Sequence, residues 1–155
     1  MANQKHILVL KQGVTHWNQW RQTHPETQPD LSQANLSQMN LIQANLSQTN
    51  LRRANLNAVN LKGANLKAAN LSLATLIAAN LQETNLCYAD LTGADVTNAD
   101  VRKADLRFSN LRVANFSGAD IREADLTSAN TDGTILTNTK RRKGIWDIFI
   151  GNSLL

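Results

Sequence analysis

From Leu31 to Leu126 every fifth residue is large and apolar, at twenty positions without a slip in register. Leu fills sixteen of them, and Val96, Val101, Phe116 and Ile121 fill the rest. In an α-helix, steps of ~100° per residue would move successive members of this series ~140° around the axis and leave no apolar stripe. A flat strand fails as well, because side chains alternate with period two and an odd spacing sends successive Leu to opposite faces. The chain must therefore turn within every five residues. Winding such a unit repeatedly gives a coil with the large residues inside and neighbouring turns hydrogen-bonded at the ~4.8 Å spacing of β-strands, an all-β solenoid.

Two residues before each large centre, from Ala34 to Ala124, the side chain is small: Ala occupies fourteen of nineteen positions. Met39, Thr49, Val59, Thr84 and Ser109 are the exceptions. Between the small and the large residue stands Asn or Asp, with Thr75 the sole departure. Ala and Leu, two apart, point the same way in a short extended piece, and the steps from Leu to the next Ala contain the corner, where residues such as Ser37 and Gln38 lie outside. Asn and Asp suit such a corner because their side chains bond nearby backbone groups and tolerate tight conformations that β-branched residues resist.

The unit Ala-(Asn/Asp)-Leu-X-X resembles the pentapeptide-repeat family over roughly residues 30 to 136. That resemblance implies a right-handed quadrilateral β-helix with four quintets per coil and about five coils. Residues twenty apart then stack. Leu36, Leu56, Leu76, Val96 and Phe116 form one core column, Ala34, Ala54 and Ala74 another, and Asn40, Asn60, Asn80, Asp100 and Asp120 an outer ladder.

Open solenoid ends expose core and unpaired strand edges, so both flanks are expected to act as caps. Ile7, Leu10, Val14 and Trp17 follow helical spacing from about Asn3, and Pro25 stops that helix at His24. Trp17 and Trp20 give it apolar area to cover the first coil, and the Trp-Asn-Gln-Trp stretch is similar to the N-terminal cap region of some family members. Residues 1–29 are thus a cap helix and linker, 30–136 the repeats, and 137–155 a C-terminal basic segment and cap helix carrying Trp146 and Phe149, all in one structural domain. The tail admits a second reading, since Lys140 to Lys143 beside an apolar run suits anionic headgroups: peripheral membrane docking through residues 140–150.

The ingredients of catalysis are missing. His6, His16 and His24 lie in the N-terminal flank, and no HExxH, CxxC or glycine-rich phosphate loop is present. The single cysteine, Cys87, excludes an intramolecular disulfide and takes an outward position with no basic neighbour in sequence. The cytoplasm is the default location, since Met1 to Leu10 lacks a basic region and cleavage site and no stretch approaches ~20 apolar residues. No cofactor, metal or small-molecule substrate is implied. Asp90, Asp95, Asp100 and Asp105 would occupy four corners of one coil, but outward side chains on different faces diverge, so charge compensation by Arg102 and Arg122 is the better reading than a metal ring.

What remains is surface. The formal net charge of +4 divides unevenly: residues 31–80 hold Arg52, Arg53, Lys62 and Lys67 and no carboxylate, whereas residues 81–130 hold eight carboxylates against five basic side chains. Lys62, Arg102 and Arg122 on one face, with Lys67 and Arg107 on the next, form a basic stripe able to follow a phosphate backbone, but Glu83 and Glu123 interrupt it. Some pentapeptide-repeat proteins mimic DNA and bind a topoisomerase with a negative rod; the basic first half departs from that pattern. The charge-poor face with Ile77, and the stack of Tyr88 on Phe108, favour protein contact. The expectation is a non-catalytic scaffold that binds an unidentified protein or itself, with a nucleic-acid-linked role the alternative.

Overall fold

The computed structural model describes residues 2–141. Winding is set by parallel bridges between residues twenty apart, from Asp30 with Asn50 through to Asp120 with Lys140. The register thus runs past the expected boundary at residue 136. Each inner quintet donates three bonds across coils, as where Leu56 N–H donates to Thr75 O at 2.7 Å, Asn55 N–H to Ala34 O at 2.9 Å and Ala58 N–H to Ile77 O at 2.9 Å. A fourth closes the corner between one quintet and the next, from Ala34 N–H to Leu31 O at 3.1 Å. These turns are single bridges and not extended strands, which is what a chain that bends every five residues can offer its neighbours.

Leu36, Leu56, Leu76, Val96 and Phe116 are buried, as are Ala34, Ala54 and Ala74. Burying a Leu of this kind is worth about 1.5–3 kcal/mol, a gain that backbone ordering largely offsets, so stability is shared along the stack. Polar residues in the small column are satisfied by backbone carbonyls of core leucines: Thr84 Oγ1 donates to Leu61 O at 3.0 Å and Ser109 Oγ to Leu106 O at 2.7 Å.

Corner chemistry differs from the sequence expectation in one respect. Asn and Asp do bond locally, their Oδ1 accepting the N–H two residues on, as Asn35 does from Ser37 at 3.2 Å and Asp95 from Thr97 at 3.1 Å. The left-handed residue, however, is the second X, where φ lies near +60° from Gln33 through to Asn138. Even Val113 adopts it, at φ 51°. Thr75, which lacks the amide, shows how the pattern is repaired: Ile77 N–H donates instead to Asn57 Oδ1, one coil away, at 3.0 Å.

The N-terminal flank forms two helices where one was expected, α1 at Gln4–Lys11 and α2 at Val14–Thr23. Gly13 separates them with φ 107° and ψ 165°, a conformation that only glycine adopts freely. Asn3 caps α1 by accepting Lys5 N–H at 2.9 Å, and α2 ends at His24 before Pro25. The expected C-terminal cap helix, with Trp146 and Phe149, lies outside the described residues, as does all of the 140–150 docking segment beyond Arg141. At that end Leu111, Phe116, Ile121, Leu126 and Leu136 line a small recess.

Candidate interaction surface

The end that precedes the first coil is occupied by α2. In an inner coil, Asn65 N–H donates to Ala44 O, while the carbonyls of Asn65 and Lys67 accept from Leu46 and Gln48 of the coil before. In the first coil the equivalent groups on Asn45 and Ser47 have no earlier coil to meet, and side chains of α2 meet them. Trp17 Nε1–H donates to Asn45 O at 2.8 Å, Asn45 N–H donates to Asn18 Oδ1 at 2.8 Å, and Arg21 Nη2 donates to Ser47 O at 3.0 Å. Arg21 also reaches Thr27 O through Nη1 at 2.9 Å, and burial lowers its pKa. Trp17 is fully buried; Trp20 is half-covered, packed between His6 and His24. An edge sealed in this way offers no template for another strand. Asn18 and Arg21 were missed in the sequence, where helical periodicity marks apolar residues only.

The stripe of cations is largely neutralised. Arg102, Arg107 and Arg122 each fold back onto the Asp two residues earlier, forming two-point contacts with Asp100, Asp105 and Asp120. Gln82 Nε2 also donates to the Asp100 carboxylate. The Arg102 guanidinium bonded to Asp100 holds its pKa down to about 2, and Arg107 and Arg122 hold Asp105 and Asp120 low in the same way. Asp90 and Asp95 instead accept from the hydroxyls of Thr92 and Thr97, and among the described residues no cluster of His, Cys, Asp and Glu is placed to hold a metal.

The rule is local: Arg two residues after Asp is paired, whereas Arg52 and Arg112 follow Asn50 and Asn110. Arg52, Arg53, Lys67 and Arg112 form no ion pair among the described residues, and Lys62 only approaches Glu83 at 4.0 Å.

A pH dependence follows. A carboxylate whose folded pKa is depressed stabilises the fold above its unfolded value and loses that contribution as pH falls through the folded value. For Asp100 the window runs from its ordinary 3.8 down to about 2. Circular dichroism melts across that range should show a falling midpoint, modest because Arg102 is 41% exposed and solvent screens the pair. The Asp100→Asn chain should lose part of that dependence.

Apolar surface concentrates on one side, the stacked segments 68–73, 88–93 and 108–113. Tyr88 and Phe108 are both about half exposed and stack at 5.0 Å with an interplanar angle of 8°. Five residues further along the coil, Leu73 and Val113 are 44% and 55% exposed, on a ladder whose other members include Gly93 and Gly133. Ile77 stands apart from them, between Asn57 and Thr97 on its own ladder. Cys87, expected outward, is only 8% exposed, because its short side chain lies in the ladder between the long Lys67 and Arg107.

Comparison with known proteins agrees with this architecture. The sequence matches the family profile described as Pentapeptide repeats, in 8 copies over residues 30–67, 69–107 and 102–138. Comparison with curated protein sequences gave no match. Among solved structures, the chain is similar to HetL, a pentapeptide repeat protein involved in heterocyst differentiation regulation from the cyanobacterium Nostoc sp. strain PCC 7120. There the identity is 31% and the TM-score 0.55, over 76% of this chain and 62% of HetL, so the chain spans less than two thirds of HetL's length. Similarity to Rfr23 from the cyanobacterium Cyanothece 51142 covers 81% of this chain and 94% of that one, at 27% identity and a TM-score of 0.60. A trypsin-treated form of QnrB1, a plasmid-mediated fluoroquinolone resistance protein, matches at 18% identity and a TM-score of 0.51, over 77% and 68% of the two chains, a likeness of fold alone. With the five-residue interior, the corner bonds and the matched profile falling on the same stretch of residues, the chain belongs to the pentapeptide-repeat family.

Proposed function

We propose that the chain is a non-catalytic, cytoplasmic scaffold that binds protein through the side bearing Tyr88, Phe108, Leu73 and Val113. The scaffold is a right-handed quadrilateral β-helix of about five coils. The observation that carries the reading is the exposed aromatic stack beside a second apolar ladder. Aromatic side chains and arginine are enriched at the buried centres of protein interfaces, and Arg112 stands beside Val113 with its charge uncompensated in the described chain. Residues at the second X carry no part of the interior, so their side chains are available for contact.

Affinity capture with the full chain as bait tests the reading, against a Tyr88→Ser/Phe108→Ser chain of unchanged melting behaviour. Proteins retained by the first and lost from the second are the expected result; an identical set from both baits would reject this side as the binding surface. A nucleic-acid-linked role is the second reading, supported by the uncompensated Arg52, Arg53 and Lys67 in the half that holds no carboxylate between residues 31 and 80. Salt-dependent retardation of duplex DNA by the chain would favour it.

A further inference from the structure

The side with the aromatic stack is complementary to itself when reversed. Along one ladder large side chains alternate with glycines, Leu73, Gly93, Val113 and Gly133, and the large ones lean over the glycines: a Cβ at Gly93 would lie 2.9 Å from Leu73 Cδ2, and one at Gly133 3.1 Å from Val113 Cγ1. Glycine is the unstrained choice at this left-handed position, yet Val113 holds φ 51° there as a β-branched residue that is 55% exposed and outside the core. Its side chain costs backbone strain without filling the interior, which points to a use on the surface. Charge alternates over the three later rungs only, which carry Asp90, Arg112 and Asp132. Asp90 lies on the rung of Gly93 and Arg112 on the rung of Val113, and neither forms an ion pair within the described chain, unlike Asp100, Asp105 and Asp120.

Resting on the protein-contact reading of this side, we propose that its occupant is a second copy of the chain, packed antiparallel about a twofold axis crossing between the rungs 88–93 and 108–113. A twofold in the plane of the contact, perpendicular to the solenoid axis, keeps each ladder opposite its own copy and reverses the order of rungs. Val113 then faces the Gly93 rung of the other copy, Leu73 faces the Gly133 rung, and Tyr88 meets Phe108. The same operation sets Arg112 across from the rung of Asp90, twice, so both charges gain partners that a single chain does not give them. A twofold half a rung lower, passing through the rung 88–93 itself, would oppose the rung of Asp90 to its own copy, a like-charge contact that disfavours that register. The first coil's edge is already sealed by α2, so association through that end is closed.

Sedimentation equilibrium of the full chain reads the outcome. Wild type should show a concentration-dependent mass rising to twice that of the chain. Val113→Gly should keep or raise the melting midpoint while weakening dimerisation at least tenfold, which separates contact from folding. Asp90→Arg and Arg112→Asp should each be monomeric, and the double exchange Asp90→Arg/Arg112→Asp should restore the dimer. A wild-type chain that stays monomeric, or a dimer indifferent to Val113→Gly and to both charge reversals, would overturn the proposal. In either case capture that is still lost with Tyr88→Ser/Phe108→Ser leaves the protein-contact reading standing, with a different partner.

Discussion

Replacing Trp17 with alanine should lower the thermal midpoint by more than any other single change in the N-terminal flank. The indole is fully buried between α2 and the first coil, and its Nε1–H supplies the bond that Asn45 O lacks for want of an earlier coil. Truncating a buried Trp costs about 3–5 kcal/mol, which for a chain of this size corresponds to a fall of roughly 10–15 °C. The loss does not stop at the cavity. With Trp17 gone, the bonds that Asn18 and Arg21 donate to Gln43 O and Ser47 O, and the one Asn18 Oδ1 accepts from Asn45 N–H, lose the packed element that aims them, and the strand edge opens. Size-exclusion chromatography should therefore show association of Trp17→Ala that wild type lacks at that end. Trp17→Phe keeps much of the apolar area and loses the bond, so its midpoint should fall by a few degrees only. A Trp17→Ala midpoint within a few degrees of wild type would show that α2 does not hold the first coil.

Leu76→Ala should destabilise by about 2–5 kcal/mol, whereas Leu126→Ala should cost clearly less. Leu76 is fully buried in the middle of the stack and touches coils on both sides; Leu126 is half-exposed on a late one. In a solenoid each coil contacts only its neighbours, so a cavity in the centre weakens two interfaces and uncouples the halves. Urea titration followed by circular dichroism distinguishes the cases: Leu76→Ala should shift the midpoint strongly and broaden the transition, and Leu126→Ala should shift it slightly. Equal losses would contradict the nearest-neighbour picture.

Most of the architecture was legible because the interior admits so few residue types. Leu76 and Phe116 could be placed in the core from spacing alone, and the stack of Tyr88 on Phe108 follows from a twenty-residue coil. The break between α1 and α2 was also written in the sequence, at Gly13, although the apolar spacing of Ile7, Leu10, Val14 and Trp17 runs through it. The pairing of Arg102, Arg107 and Arg122 carries a local signal too, an Asp two residues earlier in the same quintet. By contrast, Arg21 looks in sequence like an ordinary solvated cation, and Leu73 and Val113 look like scattered apolar residues. Their roles depend on neighbours that are far away along the chain: Ser47 for Arg21, and the rung of Gly93 for the other two.

By itself the sequence determined the winding, since burying a large side chain at every fifth position requires the backbone to turn at that interval and to stack its coils. It determined as well which corner arginines have their charge compensated, because that pairing spans two residues. The tertiary structure decided what lies exposed and what is sealed: the α2 side chains that satisfy the first coil's free backbone groups, the covering of Cys87, and the gathering of Tyr88, Phe108, Leu73 and Val113 on one side. Those outcomes depend on residues twenty or more apart meeting across coils, and the positions that meet there are the ones the five-residue rule leaves free.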